Sequence, residues 1–152
     1  MESFSHDVVE RAARTVLETS AAVRVVSATH SNHADGAFSE LIATLSLVGK
    51  TGGTLVVYCT KQQAVRLAAG MLGDADTEPE TETVLDAIGE MVNQIGGTIK
   101  RYVGADGSEI MLSPPVVVAG SPLSHCVRSS AIPLAVALDF GLGDLAVCLW
   151  PA

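Results

Sequence analysis

The sequence predicts an α+β domain in which a β-rich mixed sheet carries about three helices. Three observations lead there. Apolar residues recur at helical spacing in three separate blocks, and the runs between them are rich in β-branched residues and bounded by turn formers. Two of those runs are joined by a glycine-rich turn, the pattern of a hairpin. The 152 residues, 48% apolar and 17% charged, supply one hydrophobic core and leave a second domain cramped, so 1–152 is read as a single domain.

From Asp7 to Thr19, Val8, Ala12, Val16 and Leu17 recur at helical spacing, and Glu10, Arg11, Arg14 and Glu18 take the other side. Ser5 or Asp7 is placed to cap this helix by accepting from a free first-turn amide. Val23–Thr29 reads as a strand, SNHADGA as a turn, and Phe38–Val48 as a longer strand that returns through GKTGG into TLVVYCT. The block KQQAVRLAAGML places Ala64, Leu67, Ala68, Met71 and Leu72 on one helical face and stops at Gly73. In the acidic linker that follows, Pro79 suits a helix start, and Thr77 with Glu80 has capping-box spacing. The third helix covers roughly Glu80–Lys100. Arg101–Val103 is then read as a short extended piece, ADG as a turn, and EIML as a strand that Pro114 and Pro115 interrupt before VVVAG, because proline offers no donor to a central ladder. Val127–Leu138 and Asp144–Trp150 are the last strands, around DFGLGD.

A formal charge of −8 with no Lys/Arg cluster opposes the field of a phosphate backbone, which excludes nucleic acid and an anionic-membrane anchor as expected partners. The opening MESFSHDVVE lacks a basic leader, and no segment has the apolar length of a spanning helix, so the expected location is the cytoplasm. Cys59, Cys126 and Cys148 have neither paired nor CxxC spacing and read as buried reduced thiols.

Three local patterns invite chemistry and are better explained without it. Gly49-Lys50-Thr51 resembles the end of a phosphate-binding loop, but the opening glycine is replaced by Thr44 and a strand follows, so a hairpin turn is expected. His30, His33 and Asp35 are metal-competent side chains in a polar turn, with no further cluster to complete a coordination sphere. Ser121, Ser124, His125, Ser129 and Ser130 lack a nucleophile elbow, and Gly120-Ser121-Pro122 is a strong turn.

The third helix is different. At about 100° per residue, Val84, Ile88, Met91, Ile95 and Ile99 fall in one arc and face the core. Asp86, Glu90, Asn93 and Gly97 fall in the opposite arc as one outward ridge. An ordinary solvated face is the plain explanation, yet Asn93 is costly inside a helix because its amide competes with the backbone. Gly89, Gly96 and Gly97 add propensity cost and are expected to strip side chains from the exposed flank, letting another molecule approach. Glu90 and Asn93, one turn apart, offer a carboxylate for a partner's cation and an amide able to position water.

The pattern D-x-x-x-E-x-x-N-x-x-x-G formed by Asp86, Glu90, Asn93 and Gly97, with LAAGMLG and an acidic linker before it and SPPVVVAG after it, resembles the CheX-like chemotaxis phosphatases, relatives of CheC and FliY. The resemblance extends over roughly Glu10 to Leu149. It implies a CheC/CheX-like fold and a phosphatase that hydrolyses the phospho-aspartate of a CheY-like response-regulator receiver domain. In that role Glu90 grips the receiver's active-site lysine, Asn93 orients the attacking water, and Asp86 and Gly97 shape or support the surface. It further implies that the catalytic Mg²⁺ belongs to the receiver, with no cofactor or metal held by this chain. Neither Glu10–Ser20 nor Gln62–Leu72 repeats E-x-x-N, so the single-motif, homodimeric subgroup is implied. On the residues alone two other readings stand open: a non-catalytic adaptor for a receiver or motor-switch protein, and a structural dimerisation domain.

Overall fold

The computed structural model describes residues 2–34, 39–74, 76–104, 109–120 and 130–152. Helix α1 (His6–Thr19) begins where the spacing puts it: Ser5 Oγ accepts from the Val8 amide at 3.2 Å, and Val8, Val9, Ala12, Ala13, Val16 and Leu17 form its buried stripe. Strand β1 (Ser27–Ser31) lies later than the expected Val23–Thr29. Val23 and Val25 are buried, but from a connecting segment; the ladder begins at Ser27, opposite Asp139. His30 therefore stands on a strand rather than in a turn.

Strands β2 (Leu41–Gly49) and β3 (Gly53–Cys59) are the expected hairpin, in register from Leu41 opposite Cys59 to Leu47 opposite Gly53. The expected start at Phe38 lies outside the described residues. Helix α2 (Lys61–Met71) carries a capping box of its own, with Thr60 Oγ1 accepting from the Gln63 amide and Gln63 Oε1 from the Thr60 amide. The box expected at Thr77 and Glu80 does not form. Glu80 is the N-cap residue of α3 (Thr81–Val103) but makes no side-chain capping bond, and Thr77 Oγ1 donates to Asp74 in the preceding turn.

Helix α3 also runs through Arg101–Val103, which the sequence suggested to be extended. Val103 falls one turn past Ile99 on the same buried stripe, and the Arg11 guanidinium sits 4.5 Å from the centre of the Tyr102 ring. Packing against α1 thus holds a last turn that local composition leaves undecided.

After the ADG turn, which lies outside the described residues, β4 (Ile110–Leu112) and β5 (Val116–Ala119) both pair with β2, on either side of the Pro114–Pro115 break. The chain closes with β6 (Leu134–Asp139) and β7 (Asp144–Pro151). The strand expected from Val127 is shorter: 127–129 lie outside the described residues, and Pro133, with no amide to donate, precedes the first ladder residue.

The sheet order is β1-β6-β7-β3-β2-β4, with β5 also on β2, and each described pairing is antiparallel. Alternate residues of β2, β3, β6 and β7, including Leu45, Leu55, Val57, Leu138 and Leu149, join the three helices in the main core. Ile42, Val56, Tyr58, Ala135 and Cys148 form a smaller cluster on the other face. Three helices on one face of an antiparallel sheet make this an α+β fold. Cys59 and Cys148 are free and buried, and burial pushes each thiol up to about 12; Cys126 lies outside the described residues. Among the described residues, no helix is long and apolar enough to cross a membrane.

Candidate functional site

Helix α3 divides as its periodicity requires. Val84, Ile88, Met91, Ile95 and Ile99 are buried, whereas Asp86 and Glu90 are exposed and Asn93 and Gly97 are partly so. The four ridge residues therefore share one accessible face. The glycines divide differently from expectation. A Cβ on Gly97 would meet nothing within 4 Å, but one on Gly96 would lie 3.1 Å from Leu45 Cδ1, and one on Gly89 3.5 Å from Val117 Cγ2 and 3.7 Å from Pro115 Cγ. Gly97 alone opens the exposed flank. Gly89 and Gly96 are buried and serve the approach of the helix to β5 and β2.

Asp86 and Glu90 stand four residues apart, a spacing at which like charges repel by a few tenths of a kcal/mol. Among the described residues neither has an ion-pair partner; the acidic groups that do are elsewhere, as in Arg14 with Glu10 and Arg11 with Glu2. The Asn93 amide has no hydrogen-bond partner among the described residues. Glu90 has one, since Gln94 Nε2 donates to Glu90 Oε1 at 3.2 Å. The i,i+4 spacing of Gln94 from Glu90 is the sequence signal for this contact.

A trough of about 410 Å³ lies beside the first half of the ridge, lined by Leu85, Asp86, Gly89, Glu90, Pro115 and Val117. Its far wall comes from the segment after the proline break, which sequence reasoning did not bring to the site. A neighbouring cavity of about 380 Å³ shares Leu85 but lies toward the start of α3, among Leu41, Val65, Pro79 and Val84, and touches neither Glu90 nor Asn93. The trough meets the ridge at Asp86 and Glu90, and Asn93 and Gly97 lie outside its lining.

The other candidates do not converge. Gly49-Lys50-Thr51 forms the hairpin turn, with Lys50 Nζ 4.0 Å from Glu109. His30 Nε2 lies 2.6 Å from Glu10 Oε2 and its ring stacks on His6, while His33 is exposed and Asp35 lies outside the described residues. Among the described residues, no three His, Cys, Asp or Glu side chains gather as metal ligands would. Ser121, Ser124, His125 and Ser129 lie outside the described residues, and Ser130 is exposed.

An accessible acid-and-amide ridge on the long helix of an α+β domain, without an ion-pair partner among the described residues, is the feature that sets this fold apart. The chain belongs to the chemotaxis phosphatase CheX family, whose family model matches residues 41–138, a span that contains the whole ridge. The CheY-P phosphatase CheX of Thermotoga maritima is 26% identical over 83 residues, which cover 55% of this chain and 54% of that protein, so the match spans about half the length of this curated relative. Two crystal structures show the same fold. CheX from Vibrio vulnificus superposes with a TM-score of 0.82 at 20% identity, covering 96% of this chain and 97% of that one. The CheX–CheY–BeF3–Mg²⁺ complex from Borrelia burgdorferi gives 0.82 at 16% identity, with 99% of each chain covered.

Proposed function

We propose that this chain is a protein phosphatase that hydrolyses the phospho-aspartate of a CheY-like receiver domain in the cytoplasm. The observation that carries this reading is the Glu90–Asn93 pair, one turn apart on an open helix face, with no cation to neutralise the first and no partner for the amide of the second among the described residues. Supporting it, the Thermotoga relative bears the name of such a phosphatase, and the Borrelia relative of the same fold occurs in complex with a CheY, BeF3 and Mg²⁺.

In this mechanism the Glu90 carboxylate pairs with the receiver's lysine and seats α3 over the phosphorylated site. Asn93 holds a water in line with the bond to be broken, accepting or donating through its amide without acquiring charge. The water oxygen bonds to phosphorus, the bond from phosphorus to the aspartyl oxygen breaks, and inorganic phosphate leaves the restored carboxylate. Charge spread over the phosphoryl oxygens is met by the receiver's own Mg²⁺ and lysine, so this chain supplies alignment. Asp86 and Gly97 border the contact, one adding negative charge and the other removing bulk.

The test measures phosphate release from a phosphorylated receiver with Mg²⁺, with circular dichroism and a binding titration for each variant. Asn93→Ala is expected to lose roughly 10²–10⁴ of the acceleration while keeping its fold and much of its affinity. Glu90→Ala is expected to lose both rate and affinity, and Glu90→Lys more of each through repulsion by the receiver lysine. A folded Asn93→Ala that works as well as the parent would refute the water-positioning role.

A homodimer is part of the same proposal. It is supported by the exposed apolar residues Val116, Val118 and Ile132 on and beside the edge segments. Sedimentation showing only monomer at micromolar concentration would overturn it and leave the catalytic reading in place.

A further inference from the structure

The trough beside Glu90 has a composition that the lysine contact alone does not require. Helix α3 contributes two carboxylates, Asp86 and Glu90, with Gly89 and the apolar Leu85 beside them; the facing segment contributes Pro115 and Val117 and is apolar. Pro115 has no amide to offer, and Gly89 sits in mid-helix, where the ladder occupies its backbone groups. Apart from the carboxylates, therefore, the walls present little that a polar ligand can use. The trough is open along its length and does not enclose a small molecule. What it matches is the surface of a protein that presents a cation and an aliphatic side chain together.

Building on the reading of Glu90 and Asn93 above, we propose that this trough is a specificity subsite for the receiver: it takes an aliphatic side chain from the docked segment that bears the lysine. Charge and shape both favour this occupant. Asp86 and Glu90 have no cation among the described residues, in a chain of net charge −8, so a lysine-bearing segment relieves their repulsion. With that lysine held on the acidic side, the rest of the segment faces Pro115 and Val117, which offer an acidic or strongly polar side chain no partner. The absence of a side chain at Gly89 sets the depth available. A receiver with a bulky ring or an acidic group at the matching position is excluded, and one with a small aliphatic residue is admitted.

The discriminating substitutions are Gly89→Ala and Gly89→Val. A methyl group at this position makes ordinary van der Waals contacts with Val117 and Pro115, so the fold accommodates it and the helix gains propensity. The same methyl takes up room in the subsite. Steady-state phosphate release from a phosphorylated CheY-like receiver with Mg²⁺ should show KM raised about tenfold in Gly89→Ala, since one methylene in an apolar pocket is worth at least that in discrimination. Expected beside it are a kcat within about twofold of the parent, because Asn93 and Glu90 are untouched, and a higher melting temperature. Gly89→Val should raise KM further, and the Gly89→Ala result decides the matter if the valine variant does not fold. A merely structural role for Gly89 predicts the reverse coupling, in which a more stable protein binds at least as well. Release by the parent with KM unchanged in Gly89→Ala overturns the subsite and leaves Glu90 and Asn93 standing. Absence of release by the parent overturns both readings.

Discussion

Gly96 and Gly97 are adjacent in α3, yet the same substitution should move stability in opposite directions. Alanine is better than glycine in a helix interior by about 0.8–1.0 kcal/mol. At Gly97 nothing opposes that gain, since an added Cβ meets no atom within 4 Å. Gly97→Ala should therefore stabilise the fold by close to that amount, a rise in melting temperature of roughly 2–4 °C for a chain of this size. At Gly96 the new Cβ would stand 3.1 Å and 3.2 Å from the two methyls of Leu45, a residue 2% exposed in the core of β2. Forcing a methylene into packed surroundings costs about 1–3 kcal/mol, which cancels or exceeds the propensity gain, so Gly96→Ala should be neutral to destabilised by about 2 kcal/mol. Urea unfolding read by circular dichroism measures both, and phosphate release is measured alongside. Gly97→Ala should lower kcat/KM despite its added stability, because the methyl projects from the face that bears Asn93. If Gly96→Ala stabilises as much as Gly97→Ala, the close approach of Leu45 is not what selects glycine there. If Gly97→Ala leaves release unchanged, the C-terminal end of the ridge lies outside the contact.

Gln94→Ala should raise KM for the phosphorylated receiver by about 1.4- to 2.3-fold with kcat unchanged, because the amide that orients Glu90 through its 3.2 Å hydrogen bond is lost and i,i+4 pairs of this kind are worth about 0.2–0.5 kcal/mol; Michaelis–Menten analysis reads the split. Acid sensitivity should reside partly at Glu10, whose carboxyl is held below its ordinary 4.5 by the Arg14 guanidinium and then by His30. A pKa lowered by folding contributes stability above about 4.5 that is lost as pH falls through the folded value, so urea midpoints between pH 6 and 3 should fall more steeply in the parent than in Glu10→Gln.

The parts of this molecule that were legible in its sequence share one property: their information is local. The α3 ridge occupies twelve consecutive residues, Asp86 to Gly97, and helical periodicity sorts its core face from its open face before any tertiary contact is known. The β2–β3 hairpin was visible for the same reason. What escaped depended on distant partners. Strand β1 is mostly exposed and carries no burial pattern, so the buried Val23 and Val25 ahead of it drew the expected strand too early. The last turn of α3 is held by Arg11 against Tyr102, across ninety residues of sequence. Gly89 and Gly96 looked like gaps on the open flank because their residue type says only that something comes close, and not from which side.

The proline break explains how a distant segment becomes part of the site. Two consecutive prolines would ordinarily end a strand's association with its sheet, since neither can donate to the ladder. Here Ser113 bridges the gap: its amide donates to the Ser46 carbonyl at 2.9 Å and its Oγ accepts from the Ser46 amide at 2.8 Å. β2 thus stays engaged until β5 resumes pairing at Val116 opposite Thr44. The resumed register puts Val117 opposite Ala43, on the side of the sheet that α3 covers, and leaves Val116 and Val118 exposed. Pro115 and Val117 consequently reach the flank of α3 at Gly89 and complete the trough. A register slip of one residue would turn Val117 away and bring its exposed neighbours inward, so the serine bridge specifies the trough's far wall as directly as the helical period specifies the ridge. Ser113→Ala should accordingly weaken the trough wall before it weakens the ridge: the Ser46 amide loses its acceptor, at a cost of about 1–3 kcal/mol if it stays unsatisfied. Amide hydrogen exchange should then report faster opening of β5 than of α3, and equal protection of β5 in parent and variant would show that the register is set elsewhere.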